Sequence, residues 1–86
     1  MNKTVTELKT TLENAEREHR HSLLRQQWLE RRLLEAPTES EFHSLLAELT
    51  AQEETTAQLG RAVALARYEW GAASLDAHST GDPARG

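Results

Sequence analysis

Residues 33–42, LLEAPTESEF, decide the fold. Pro37 disfavours helical geometry at Ala36 and so ends any helix that reaches it. Thr38 then stands as an N-cap. Glu41, three residues on, completes a Thr-x-x-Glu capping box, and Pro37 and Phe42 occupy the positions of a hydrophobic staple. A stop and a start this close leave a connection of two to four residues, which forces the flanking helices antiparallel. The break at 36–38 is the tip of a helical hairpin.

Working outward, each arm carries one apolar stripe. Downstream it runs Phe42, Leu45, Leu49, Gln52, Thr56, Leu59, Val63, Ala66 and Trp70. Upstream it runs Val5, Leu8, Leu12, Ala15, His19, Ser22, Gln26, Leu29 and Leu33. Alternating steps of three and four hold these side chains on one helical seam. The spacing predicts an all-α, two-helix antiparallel hairpin, a helix-turn-helix coiled coil over residues 1–70. Helix one covers about 4–36, the turn 36–38 and helix two about 39–70. Thr4 and Glu7 form a capping box at the start of helix one, which contains no Gly or Pro. Glu13–Arg17 and Glu16–Arg20 place acid before base at i,i+4, each pair contributing roughly 0.2–0.5 kcal/mol. Gly60 lies inside helix two at a cost of about 1 kcal/mol relative to Ala. It reads either as a tolerated weak point or as a place where the facing helix comes close to bare backbone. Beyond Gly71 the composition turns to Ser, Thr, Asp, Gly and Pro, with Leu75 as the one large apolar residue. Residues 71–86 are therefore expected to be a flexible tail.

Eighty-six residues allow one domain. With 37% hydrophobic and 5% aromatic residues, the chain is poor in core-forming side chains. A hairpin has one seam and several outer faces, so it is expected to pack against itself or a partner. Cysteine is absent, which removes disulfides, thiolate metal sites and thiol catalysis, and fits a reducing compartment. The net charge of −4 falls on helix two, which carries six acidic and two basic residues between Thr38 and Trp70. Helix one balances six against six and contains the cluster Arg17, Arg20, Arg25, Arg31 and Arg32. Neutralisation of that cluster by the acidic second helix is expected, and nucleic-acid binding is not. No stretch approaches the ~18 apolar residues of a membrane span, and Met1 to Thr11 lacks the apolar core of a signal peptide. A cytoplasmic protein is expected, without membrane insertion.

Nothing in the chain assembles chemistry. His19 and His21 are two apart and point to opposite sides of a helix, so they cannot share a metal ion. His43 projects toward the rim or solvent, and the four histidines, His78 included, read as titratable surface or seam residues. The serines lack a nucleophile elbow, the glycines form no phosphate loop, and Glu53 and Glu54 point apart. No enzyme activity, cofactor or metal is expected.

The remaining constellations are apolar and lie off the seam. Leu24 and Trp28, one turn apart on helix one, stand nearly opposite Leu8, Leu12 and Leu33, and exposed aromatics often anchor interfaces. They read either as such an anchor or as a pair covered by arginine stems. On helix two, Leu46, Ala57, Ala64, Leu65, Tyr68 and Ala72 form a flank beside the seam. The run Ala62-Val63-Ala64-Leu65-Ala66 is apolar around most of its circumference, a pattern normally buried on all sides. Leu24, Trp28, Leu46, Ala57, Ala64, Leu65 and Tyr68 are thus the candidate partner-binding residues. His19, Ser22 and Gln26 approach Gln52 and Thr56 in mid-seam, and Leu23 is expected to rotate in beside them. This polar middle leaves an isolated hairpin marginal.

The segment Leu23 to Trp70, LLRQQWLERRLLEAPTESEFHSLLAELTAQEETTAQLGRAVALARYEW, resembles the small E-type co-chaperones of bacterial type III secretion systems. The likeness lies in size, the double-helix layout, an aromatic soon after the turn and a Leu/Ala-rich second helix. It lies also in the ending Ala66-Arg67-Tyr68-Glu69-Trp70. The resemblance implies a hairpin that binds a helical-repeat chaperone. The pair would sequester the needle subunit in the cytoplasm as a heterotrimer and prevent its polymerisation. In one branch such proteins instead serve translocators and contact the secretion ATPase. A reading of a different class is a structural homodimer, two hairpins closing a four-helix bundle.

Overall fold

The turn forms as its residues dictate. In the computed structural model, which describes residues 4–80 (side chains through 76), helix α1 spans Val5–Leu34 and helix α2 spans Glu39–Thr80. At the start of α1, Thr4 accepts a hydrogen bond from the Glu7 amide at 3.1 Å, and its hydroxyl donates to the Glu7 carboxylate at 3.2 Å. At the start of α2, Thr38 Oγ1 accepts from the Glu41 amide at 3.1 Å. The Glu35 amide bonds back to Arg31 and Arg32, and that of Ala36 to Leu33, so α1 closes tightly before Pro37. Ala36 folds inward and packs on Leu29, Leu45 and Leu49.

Both arms bury the expected stripe. Every seam position is buried or half-buried except Phe42, which is 41% exposed and meets the His43 ring edge-on at 6.0 Å. Phe42 lies on the rim because Leu33 and Ala36 already occupy the turn end of the seam. The staple position is therefore not a seam position. Two apolar clusters result. Leu29, Leu45 and Leu49 pack near the turn, and Leu12, Val63 and Ala66 pack far from it with Ala15 and Trp70 against them. Leu29, 1% exposed, is the most deeply buried side chain of the core.

Between the clusters lies a polar layer with its own bonding. The Gln52 amide donates to Ser22 Oγ at 2.7 Å, and Ser22 Oγ lies 2.6 Å from Thr56 Oγ1. Thr56 spends its one hydroxyl proton on the Gln52 carbonyl at 2.9 Å, so the Ser22 hydroxyl is the donor to Thr56. Each buried hydroxyl is thereby satisfied, which removes the penalty such groups would otherwise incur. Leu23 does not rotate in. It stays 37% exposed, because Ser22, bonded to Gln52 and Thr56, fills the facing space.

Gly60 marks a close approach. A Cβ at this position would lie 3.3 Å from Nε2 of His19, whose ring rests on the bare backbone. α2 also continues ten residues past the end expected near Trp70. Gly71 lowers helix propensity without ending the helix, since Ala72, Ala73, Leu75 and Ala77 favour continuation. The remainder of the expected tail, 81–86, lies outside the described residues. With Ser22 facing Thr56, Val5 comes level with roughly residue 73, so the last turns of α2 reach past the start of α1. The hairpin is a rod of 69 × 21 × 16 Å, and its radius of gyration of 19.6 Å compares with ~12 Å for a compact domain of this length.

Candidate docking surfaces

The seam divides the outside of the hairpin into two faces, and cross-helix contacts identify them. On one face Arg67 of α2 donates to Glu16 of α1 at 3.3 Å. On the other, Arg32 of α1 lines an open notch of about 260 Å³ with Ser40, Glu41, Ser44 and Leu45. Stepping round each helix at about 100° per residue from these contacts assigns the apolar residues.

The α2 flank spreads across the outer side of that helix, with Leu46, Ala57 and Ala64 toward the Arg67 side, Tyr68 nearly opposite the seam, and Leu65 and Ala72 toward the Ser44 side. Ala57, Ala64 and Leu46 are exposed, as are Leu65 at 60% and Tyr68 at 74%. Leu65, Tyr68, Ala72 and Leu75 repeat the three-four spacing of the seam on the outside of α2, making a second stripe with no covering helix among the described residues. Leu75, 71% exposed, joins it because the helix continues. Its position seven residues after Tyr68 was the sequence signal, hidden by the tail composition around it. Leu46 shares the flank but sits about 28 Å back along the axis from Leu65, behind Thr50, Glu53 and Glu54. The structure therefore joins Ala64, Leu65 and Tyr68 with Ala72 and Leu75, leaves Ala57 at their edge and separates Leu46.

Leu24 and Trp28 lie on the outer side of α1, turned away from the outer side of α2, so the two sequence-predicted patches are not one surface. Trp28 is 47% exposed and flanked by two guanidinium groups, Arg32 at 5.1 Å and Arg25 at 5.8 Å from the ring centre. Both distances are within the range of a cation–π contact.

The expected charge neutralisation takes a different form. Among the described residues the ion pair between the helices is Glu16–Arg67, an acid of α1 with a base of α2. Arg17 bonds Asn14 at 2.8 Å instead of pairing with Glu13, and Glu16 turns to Arg67 instead of Arg20. Among the described residues no arginine of α1 pairs with an acid of α2, because the seam, not the charge pattern, sets the rotation of each rod. His43 pairs with Glu39 on its own helix at 3.6 Å. Among the described residues no three His, Asp or Glu side chains gather where a metal could bind, and neither helix is long and apolar enough to cross a membrane. The indole N–H of Trp70 is buried without a hydrogen-bond partner among the described residues.

No family model, curated protein or solved structure matches the chain.

Proposed function

We propose that this chain is a cytoplasmic co-chaperone of type III secretion, a hairpin that docks on a helical-repeat chaperone and helps keep a needle subunit soluble and unpolymerised. The observation that carries the reading is the bare outer stripe of α2, three large apolar side chains at helix-packing spacing on a helix whose other side is already sealed. An apolar row of this kind marks an interaction site. The resemblance of residues 23–70 to the E-type co-chaperones supplies the kind of partner.

The mechanism is helix-in-groove packing, with Leu65, Tyr68 and Leu75 as anchors and Ala64 and Ala72 letting the partner backbone approach. The stripe offers a few hundred Å², about half of the ~800 Å² per partner that specific complexes bury. The partner must therefore wrap beyond the stripe, and a helical-repeat groove has the concave shape to do so. Two hairpins meeting on this stripe alone fall short of that area, which disfavours the homodimeric bundle.

Affinity purification from native lysate with mass spectrometry tests the reading. Wild-type protein is expected to recover a helical-repeat chaperone and a small needle subunit, and Leu65→Asp to lose both while remaining equally helical by circular dichroism. Recovery of the same proteins by Leu65→Asp removes this face from the mechanism. Recovery of neither by the wild type overturns the co-chaperone reading.

A further inference from the structure

We infer that the Leu24–Trp28 face of α1 is a separate docking site for an acidic amphipathic helix. This does not depend on the function proposed for α2, whose stripe lies on the outer side of the other helix. Three observations carry it.

The first is side-chain type. Trp and Arg are the residues most enriched among interface anchors, and here an exposed Trp is bracketed by two arginines. Stacking on the indole holds each guanidinium in place while leaving its N–H edges open to a carboxylate. The arginines are thus ordered before a partner arrives, which lowers the entropic cost of binding.

The second is charge. Residues 17–32 hold five arginines against two glutamates in a chain whose net charge is −4. Among the described residues neither Arg25 nor Arg32 makes an ion pair, although six glutamates lie on α2 between Thr38 and Trp70. The basic charge on this face is therefore left for an external acid.

The third is spacing, which specifies the ligand. Arg25 and Arg32 are seven residues apart, about 10.5 Å along the axis, with Leu24 and Trp28 between and beside them. A helix lying alongside matches them with carboxylates at i and i+7 and apolar residues at i+3 and i+4. A nucleic-acid backbone fits less well. Glu41 lines the same notch as Arg32, and Glu48 follows one turn after Ser44 on that face, so a continuous row of phosphates would meet carboxylates.

The test uses the full chain and a synthetic alanine-rich helical peptide with Glu at i and i+7 around Leu at i+3 and i+4. A second peptide carries Gln in place of both Glu residues. Binding is followed by calorimetry and by Trp28 fluorescence. The Glu peptide is expected to bind about tenfold tighter than the Gln peptide. The double variant Arg25→Gln/Arg32→Gln is expected to lose about tenfold in affinity for the Glu peptide at unchanged helicity. Arg61→Gln/Arg67→Gln, on α2 and away from the patch, stays within twofold of wild type, and Leu65→Asp binds the Glu peptide as wild type does. Equal binding of the two peptides, no binding of the Glu peptide at millimolar concentration, or an equal loss in the off-patch variant overturns the inference. Tighter binding of a 20-base-pair DNA duplex than of the Glu peptide overturns it in favour of a nucleic-acid site.

Discussion

α2 carries two apolar rows at the same three-four spacing, and they end in opposite states. Leu45, Leu49, Val63 and Ala66 are buried against α1, while Leu65, Tyr68 and Leu75 face outward with nothing among the described residues over them. Periodicity selects which residues share a face, but it does not select which face is covered. Coverage is decided by whether the chain owns a second row to match. α1 supplies one such row, through Leu12 and Leu29, and its other sides carry arginines, glutamates and Trp28. One row of α2 therefore builds the fold, and the other is free for an interface.

Truncations separate the two rows most strongly. Leu29→Ala empties the tightest point of the seam, and such a change costs about 2–5 kcal/mol. In a marginal hairpin that is enough to abolish the cooperative urea transition followed by circular dichroism. Leu65→Ala on the outer row should change stability by no more than about 0.5 kcal/mol in the same assay. A comparable loss at both positions would mean that the outer row is structural after all.

The polar layer sharpens the contrast inside the seam. Ser22→Ala removes the near acceptor of the Gln52 amide, and Thr56→Val removes the acceptor of the Ser22 hydroxyl. Each should destabilise by about 1–2 kcal/mol, since each leaves a buried group without its partner. Ser22→Ala, Gln52→Leu and Thr56→Val together remove every group of the network and should recover stability to wild type or above. Denaturant midpoints of the three variants decide this, and additive losses would show that the network is not a unit.

Gly60 is a smaller and more delicate case. Alanine there gains about 1 kcal/mol of helix propensity, but its Cβ would crowd His19. Gly60→Ala should therefore be close to neutral alone and stabilising by about 1 kcal/mol in a His19→Ala background, as read by thermal melts of the four-protein cycle. The smallest effect belongs to the exposed Glu16–Arg67 pair. Arg67→Gln should move stability by less than about 0.5 kcal/mol, at low and at high salt alike.

Most of the fold could be read from residues 33–42 and the two seam rows, because a Pro stop, two threonine caps and alternating spacing all specify local geometry. Phe42, Leu23 and the length of α2 were harder. Phe42 and Leu23 depend on which neighbours reach the seam first, Ala36 in one case and the Ser22–Gln52 bond in the other. Gly71 looked like a terminus because composition alone does not weigh one glycine against the alanines that follow. The surfaces were legible only as residues. That Leu24–Trp28 and the α2 row turn away from each other follows from the antiparallel register and the rotation of each rod. That Arg25 and Arg32 bracket Trp28 follows from side-chain conformations, which spacing permits without requiring.

The central claim is that the hairpin exposes an apolar row it cannot cover itself. Sedimentation and thermal melting of the purified chain at low micromolar concentration test it most directly. The expected result is a low-melting, weakly self-associating protein whose midpoint is left unchanged by Leu65→Asp. A rigid monomer that melts cooperatively at high temperature, or one that Leu65→Asp unfolds, would contradict it.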